Sequence, residues 1–258
     1  MDRVAVFVNG ELGKSIIKRV IGHPNLELRV VVLNSSDKRL TEYKDQVLGL
    51  QQSLGSEFNI YEWSVDLNAN ENYLNDLKEC GIAISALFGH IIPRHVIEIF
   101  KNKIVNLHPS LLPLGKGSDP VPWGIIQGDN QGASIHTVTE KLDSGLIASQ
   151  QLVESDLGMN AGEIYQKCID SLLYQFDSII DKVISNDLSL KIQDNLNVVP
   201  KKSVELKELQ IIDASETSKL ENFIRRIQAL TYSDGRRPKF RDKQGNIWTI
   251  DLRLIKDE

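Results

Sequence analysis

The chain has 258 residues, of which 41% are hydrophobic and 25% charged, and its formal net charge is −5 at pH 7. This length can bury one sizeable core and a small satellite domain, and the composition is that of a soluble globular protein. A membrane-spanning protein is excluded, because no apolar run approaches the roughly 20 residues that cross a bilayer. Two cysteines, Cys80 and Cys168, are too few for a disulfide framework or a recognisable metal site. We therefore expect no metal and a cytoplasmic location.

Predicted strands and helices alternate through the first two thirds of the chain. Strands are predicted at 4–8, 28–33, 58–63, 81–87, around 106, at 133–139 and at 146–153, and helices at 14–21, 38–54, 71–79, 94–101 and 161–184. Short continuous apolar runs such as Val4–Val8 are typical of strands buried on both faces. The alternation predicts parallel βαβ units, and therefore an α/β fold with a doubly wound, mostly parallel sheet.

The remaining residues predict a small C-terminal domain. Residues 185–210 are polar and irregular, and we place the boundary between domains 1–189 and 190–258 within them. Beyond it, an apolar repeat at helical spacing predicts a helix opened by a capping box at Ser218. Alternating residues from Trp248 to Leu254 then predict a half-buried strand of a hairpin. Because a helix and a hairpin are too small to hold together alone, we expect them to pack on the main domain or on a second subunit, in a homodimer.

Charge is unevenly spread, and the C-terminal part is the basic one. Residues 190–258 contain 14 Lys and Arg against 11 Asp and Glu, although the whole chain is acidic. Five cations crowd into eight residues, namely Arg236, Arg237, Lys239, Arg241 and Lys243. Two interpretations stay open, a solvated basic hairpin or an anion-binding surface for a nucleotide diphosphate or RNA.

An Asn-x-His segment carries the strongest chemical signal. Asn106 and His108 are two apart in an apolar run, so in a strand both side chains project from the same face. Asn supplies a neutral hydrogen-bond donor for a developing oxyanion, and His carries protons. Downstream, Asp143 supplies a carboxylate that holds the charge of a protonated His. These residue types together fit the transfer of a one-carbon acyl group between amines.

Three separated blocks resemble the folate-dependent formyltransferases that use N10-formyltetrahydrofolate. They are the apolar loop 87–93, the block 106–113 and the loop 142–145, in the order and spacing of that family. The resemblance implies a Rossmann-like formyltransferase core with N10-formyltetrahydrofolate as co-substrate. It assigns the catalytic roles to Asn106, His108 and Asp143. Outside this context, the same His and Asp would be interpreted as a structural strand-end residue and a turn residue.

The same resemblance implies a folate site and an acceptor site. The folate site is implied for Phe88, Gly89, His90, Ile91, Ile92, Ser118, Thr139, Glu140, Lys141 and Leu142. There a flat ring would lie between apolar side chains and bond to backbone groups. Lys116 stands where relatives place Arg, and Asp119 where they place a small or basic residue. We expect both to contact the acceptor, together with Asn9 from the first strand-to-helix turn, whose glycines lack the spacing of a dinucleotide site.

Length and tail distinguish among the acceptors of this family. Glycinamide-ribonucleotide enzymes resemble the first domain alone, and initiator methionyl-tRNA enzymes carry a larger, basic C-terminal barrel. Enzymes that formylate nucleotide-linked deoxysugars have a small helix-and-hairpin extension, whose start resembles residues 224–232. We therefore expect a dTDP- or UDP-linked amino-deoxysugar as partner, for surface polysaccharides such as lipopolysaccharide O-antigen, and no nucleic acid. A methionyl-tRNA formyltransferase and a catalytically silent folate-binding relative stay as alternatives.

Overall fold

The larger of two sheets contains the predicted α/β core. The structure, a computed structural model, describes residues 1–101, 103–194 and 198–256. Its seven strands are β1 (Asp2–Val8), β2 (Leu26–Leu33), β3 (Asn59–Glu62), β4 (Ile82–Ala86), β5 (Ile104–His108), β6 (Gly132–Thr137) and β7 (Ile147–Leu152). They lie in the order β3-β2-β1-β4-β5-β6-β7, and the pairs β1–β2, β1–β4, β2–β3 and β4–β5 are parallel. The predicted α/β class with a mostly parallel sheet is confirmed.

Helices connect the strands of this sheet and continue beyond it. They are α1 (Gly10–Gly22), α2 (Leu40–Leu54), α3 (Glu71–Lys78), α4 (Arg94–Ile99), α5 (Pro120–Gln127) and α6 (Ala161–Ser185), with a short 3-10 turn at Asp66–Ala69. None of the helices within the described ranges combines the length and the apolar character that a bilayer-spanning helix needs.

The strand order contains a reversal point between β1 and β4. Strand β1 has β2 on one side and β4 on the other, so the chain reverses its direction of travel across the sheet between them. In sheets of this kind, ligands bind outside the carboxyl ends of the strands at such a reversal. Asn9 follows β1, and the loop 87–92 follows β4, which places both at the carboxyl ends of these strands.

The helix α5 was not predicted, and its two prolines explain why. Pro120 and Pro122 suggest a loop in the sequence, but both lie in the first turn, where backbone N–H groups have no acceptor within the helix. The helix is apolar almost all round and buried from Val121 to Ile125, so it shows no amphipathic period. It ends at Gln127 and is capped by Gly128, whose φ of 75° suits a residue without a side chain.

The C-terminal part confirms the predicted helix and hairpin and adds to them. It contains α7 (Ser203–Glu208), α8 (Leu220–Ala229) and a three-stranded sheet of β8 (Ile211–Asp213), β9 (Lys239–Arg241) and β10 (Ile247–Thr249). The predicted capping box is wrong, because α8 begins after Lys219 and has no side-chain cap bond. The predicted strand at 248–254 is shorter, since β10 stops at Thr249, and Trp248 is 58% exposed.

Contacts between residues group the chain into two compact units. The first unit comprises residues 1–108, 135–149 and 173–193, and the second comprises 109–134, 150–172 and 194–258. Phe7, Tyr73 and Phe100 belong to the core of the first unit. In the second unit, helix α8 packs on α5, and Trp123 contacts Leu206 and Leu230 of the tail. The boundary predicted near residue 190 stays a prediction.

Candidate active site

Strand β5 presents Asn106 and His108 on one face, as the alternation predicted. Their neighbours Val105 and Leu107 are buried apolar residues on the opposite face, which fixes the register of the polar pair. His108 is only 6% exposed and Asn106 is half-buried. Both side chains therefore lie in a partly desolvated environment, where hydrogen bonds and charges act more strongly than in water.

Asp143 faces the imidazole of His108 from the loop after β6. Its Oδ1 lies 3.8 Å from His108 Nδ1, and both side chains are more than 90% buried. The φ of Asp143 is 47°, in the left-handed region that Asp tolerates better than most residues. The structure thus brings together the three residues to which the resemblance assigns catalysis, although they come from separate parts of the sequence.

Two contacts hold the Asp143 loop. The side-chain amide of Gln193 donates to the backbone oxygens of Asp143 (3.0 Å) and Gly145 (2.8 Å), and Gln193 is buried. Gly145 packs so closely on the carbonyl oxygen of Thr137 that a side chain would overlap it. Sequence reasoning missed Gln193, because no local pattern connects it to a loop 48 to 50 residues earlier.

A second histidine, His136, lies beside this group and was also missed. Its Nε2 is 3.1 Å from Asn106 Nδ2 and 3.5 Å from Asp143 Oδ1, and its ring is 6.2 Å from that of His108. The residue is 2% exposed. The sequence feature that could have indicated His136 is a polar side chain at an inward position of the predicted strand 133–139, because buried polar groups need hydrogen-bonding partners. Within the described ranges, no group of three or more His, Cys, Asp and Glu side chains is arranged to hold a metal ion.

The loop after β4, implied as part of the folate site, is anchored by its ends. Phe88 and Ile92 are buried in the core of the first unit, where Phe88 meets Phe7 and Trp63 edge to face. Between them, Gly89 and Ile91 are exposed, and Ile91 is 60% exposed. The burial of Phe88 and Ile92 makes them supports of the loop, while its middle residues are accessible to a ligand.

Polar residues that follow β1 and β2 lie at the same ends of the strands as this loop, and Asn34 bonds to it. His90 Nε2 donates to Asn34 Oδ1 at 2.7 Å, and Asn9 Nδ2 donates to Asp37 Oδ2 at 2.8 Å. Burial lowers the pKa of His90, which favours its neutral form. The backbone N–H of Arg39 lowers the pKa of Asp37, so this carboxylate is charged when it holds Asn9. The Asn9 amide, which follows β1 and is predicted to touch the acceptor, is therefore held in place by Asp37.

The second implied folate segment, Thr139–Leu142, lies next to the first. Arg94, at the start of α4 just after the loop, has its Nε 3.4 Å from Glu140 Oε1. Thr139–Leu142 are all exposed, and Thr139 Oγ1 donates to the carbonyl oxygen of Lys141. The two segments thus face the same solvent region, with the apolar side chains of Ile91 and Leu142 exposed.

The other three predicted residues, Lys116, Ser118 and Asp119, belong to the second unit. Lys116 is 1% exposed, and its carbonyl oxygen accepts from the backbone N–H of Lys201, whose own carbonyl accepts from Ser118 N–H. Asp119 Oδ2 accepts from the hydroxyl of Ser203 at 2.6 Å. This segment is therefore tied to residues 201–203 of the tail, and its predicted contacts with the acceptor and with folate stay predictions.

Most cations of the basic cluster have partners within the tail. Arg236 pairs with Asp234, Arg237 with Asp251 and Arg241 with Asp213. Lys239 Nζ donates to the hydroxyl of Thr249. This pairing favours the interpretation of a solvated basic hairpin over that of an anion-binding surface.

Comparison with sequences of known proteins identifies the family. The sequence pattern described as formyl transferase matches residues 2–172. A methionyl-tRNA formyltransferase from Sulfurihydrogenibium sp. (strain YO3AOP1) is 27% identical over 189 residues, which cover 72% of this chain and 59% of that protein. The chain therefore spans about three fifths of the length of this curated relative.

Solved structures with the same fold cover the chain more completely. A 4-N formyltransferase from Francisella tularensis has a TM-score of 0.81 and 21% identity, with 99% of both chains covered. An N-formyltransferase from Helicobacter canadensis, in complex with folinic acid and dTDP-3-aminofucose, has a TM-score of 0.66 and 19% identity, covering 91% of this chain and 82% of that one. At these identities the likeness establishes the fold. The family pattern covers two thirds of the chain, including Asn106, His108 and Asp143, and the chain therefore belongs to the formyl transferase family.

Proposed function

We propose that the protein transfers the formyl group of N10-formyltetrahydrofolate to the amino group of a dTDP- or UDP-linked amino-deoxysugar. The observation that carries this proposal is the convergence of Asn106, His108 and Asp143 in a chain that matches the fold of the Francisella 4-N formyltransferase over 99% of both chains, tail included. Asn, His and Asp supply the donor, proton carrier and charge holder that acyl transfer between amines requires.

The two exposed segments beside the catalytic residues fit a folate. The exposed side chains of Ile91 and Leu142 supply apolar contact for a flat ring, and the backbone around Gly89 is accessible for hydrogen bonds. Because Phe88 and Ile92 anchor the first segment in the core, it needs little reordering when a ligand arrives. N10-Formyltetrahydrofolate, when bound, supplies the formyl carbon and leaves as tetrahydrofolate.

The residues of the site divide the remaining work. The Asn106 amide donates to the formyl oxygen, where negative charge develops, and one such donor is worth about 3 kcal/mol of barrier. His108 takes the proton that the attacking amine must lose and returns it to the departing folate nitrogen. The Asp143 carboxylate, 3.8 Å from His108 Nδ1, stabilises the imidazolium while the proton is held.

Methionyl-tRNA is the second candidate acceptor, since the curated relative with 27% identity formylates it. The structure of the tail argues against methionyl-tRNA as the acceptor. It contains a three-stranded sheet and two short helices, and four of its five clustered cations are paired with side chains of the tail itself. Binding of RNA depends on cations that are available to phosphates.

The test is a formylation assay read by mass spectrometry. The protein is incubated with N10-formyltetrahydrofolate and a panel of dTDP- and UDP-linked 3- and 4-amino-deoxysugars, with methionyl-tRNA in parallel. We expect formylation of a nucleotide sugar, which is lost in His108→Ala and kept in His23→Ala. His23 lies between α1 and β2, at the amino ends of the strands. Formylation of the tRNA alone would replace the proposed acceptor. Folate binding without turnover on any acceptor would make the protein a silent relative.

We also propose that the protein works in the cytoplasm as a homodimer, in the synthesis of surface polysaccharides such as lipopolysaccharide O-antigen. Both cysteines are buried free thiols, which suits a reducing compartment. Ile247 and Trp248 of the tail hairpin are exposed apolar side chains that suit a subunit contact. Light scattering during size-exclusion chromatography tests the dimer, and a monomeric mass at micromolar concentration would exclude it.

A further inference from the structure

His136 has two hydrogen-bonding neighbours that together indicate which of its ring nitrogens carries the proton. Its Nδ1 lies 2.8 Å from the backbone oxygen of Thr137, and its Nε2 lies 3.1 Å from Asn106 Nδ2. A carbonyl oxygen only accepts, so Nδ1 carries the proton. An amide nitrogen only donates, so Nε2 carries the lone pair. These contacts select the neutral imidazole protonated at Nδ1.

We propose that neutral His136 is a positioning residue that fixes the orientation of the Asn106 amide. The Nε2 lone pair accepts one N–H of Asn106, which holds the amide nitrogen on that side. A flipped amide would place its oxygen against the same lone pair, and two acceptors repel each other. Since the proposed function uses Asn106 as the donor to the formyl oxygen, this inference rests on that function for its effect on catalysis.

Protonation of His136 would break this arrangement. A proton on Nε2 would face the donor group of Asn106, and the nearest charge is the carboxylate of Asp143, 3.5 Å away. The charged ring would therefore compete with His108, the other titratable group against Asp143, for the same carboxylate. While His136 is neutral, the Asp143 carboxylate interacts with His108, and His136 holds the Asn106 amide in one orientation.

Three substitutions of His136 separate the hydrogen-bond acceptor from the shape of the side chain. The amide oxygen of Gln reaches the position of the imidazole Nε2, whereas Asn reaches only that of Nδ1, and neither is charged. We expect His136→Asn and His136→Leu to lower kcat about 10- to 100-fold with KM within about threefold. An Asn106 amide that is no longer held in place should lose part of the transition-state stabilisation that would be lost if the donor were removed. His136→Gln should recover most of kcat. Equal losses in all three variants would overturn the proposal and leave a packing role.

A spectroscopic measurement tests the tautomer without any reaction. Two-bond proton–nitrogen correlations on protein labelled at the histidine ring nitrogens distinguish Nδ1–H from Nε2–H and from the charged ring, and the His136→Gln spectrum assigns the signals. We expect an Nδ1–H ring at neutral pH. An Nε2–H or charged ring would overturn the proposal even if the enzyme is active. An inactive wild type with an Nδ1–H ring would instead count only against the proposed function.

Discussion

The side chain of Asp143, for which we propose a catalytic role, is attached to a backbone in an uncommon conformation. Its φ of 47° is energetically unfavourable for a residue that has a side chain, and the surrounding contacts must offset this free energy. Those contacts include the hydrogen bond from the Gln193 amide to the carbonyl oxygen of Asp143 and the close packing of Gly145 on Thr137. The conformation of Asp143 therefore depends on its neighbours as well as on the tolerance of Asp for this φ. Substitutions can thus change the carboxylate and the residues that hold the loop separately.

The chemical role is tested by Asp143→Asn. The amide keeps the shape of the side chain but removes the negative charge that stabilises a protonated His108. We expect turnover to fall about 10²- to 10⁴-fold with folate affinity within about threefold, measured by steady-state kinetics and by folate fluorescence titration. Asp45→Asn, an exposed position in α2, is the control. Near-normal turnover in Asp143→Asn would remove this residue from the proposed chemistry.

The support of the loop is tested by Gly145→Ala, with Gly49→Ala as its matched control. A methyl group on Gly145 would overlap the Thr137 carbonyl oxygen, whereas one on Gly49 in α2 meets no atom within 4 Å. We expect Gly145→Ala to lower the free energy of unfolding by about 1–3 kcal/mol, as overpacking does, and to lower turnover. Gly49→Ala should raise the free energy of unfolding by about 0.5–1 kcal/mol, because Ala is the better helix former. Urea denaturation measures both, and an unaffected Gly145→Ala would show that the loop adjusts freely.

At the scale of elements, the sequence predicts what is local and misses what joins distant segments. Side chains alternate between the two faces of a strand, so the sequence around Asn106 and His108 is enough to predict that both lie on the same face. The prolines of α5 obscure a helix whose apolar character reflects its burial from Val121 to Ile125. Gln193 and His136 act through partners 30 to 50 residues away, and such pairs leave no periodic signal. The resemblance to a family predicts Asn106, His108 and Asp143 as one group because a family pattern includes positions that lie far apart in the sequence.

The segment that carries Gln193 is tested by Gln193→Leu, which keeps the volume but removes both N–H donors. The backbone oxygens of Asp143 and Gly145 lose these bonds, and an unpaired buried acceptor costs about 1–3 kcal/mol. We expect lower stability and a fall in kcat larger than any change in KM, because the carboxylate is no longer held. Gln52→Leu, exposed in α2, should change neither. If Gln193→Leu lowered stability alone, the hydrogen bonds would have no part in placing Asp143.

At the scale of the whole molecule, the tail is part of a core rather than an appendage. In the second unit, Trp123 of α5 packs with Leu206 and Leu230 of the C-terminal part. The backbone of Lys201 bonds to Lys116 and Ser118, and Ser203 bonds to Asp119. Tail residues therefore support the segment that follows the Asn-x-His strand, which suits a fold whose likeness to the Francisella enzyme extends over 99% of both chains.

This packing predicts a large cost for truncating Leu230. The side chain is fully buried, and Leu→Ala at such sites lowers the free energy of unfolding by about 2–5 kcal/mol. Leu220→Ala, at a residue that is 74% exposed in the same part of the chain, should stay within about 0.5 kcal/mol of the wild type. Urea denaturation followed by tryptophan fluorescence compares the two. Equal stability of the variants would mean that the tail contributes little to the second core.

The position of Gln193 also sets an order of events during synthesis. A ribosome adds about 5–20 residues per second, so Gln193 is made about 3–10 s after Asp143. By then all seven strands of the large sheet, the last ending at Leu152, have been translated. The matched family region, residues 2–172, ends before Gln193 as well. A nascent chain can therefore form the strands of its sheet before Gln193 is available to hold the loop of Asp143, and we expect the proposed active site to be completed after the sheet.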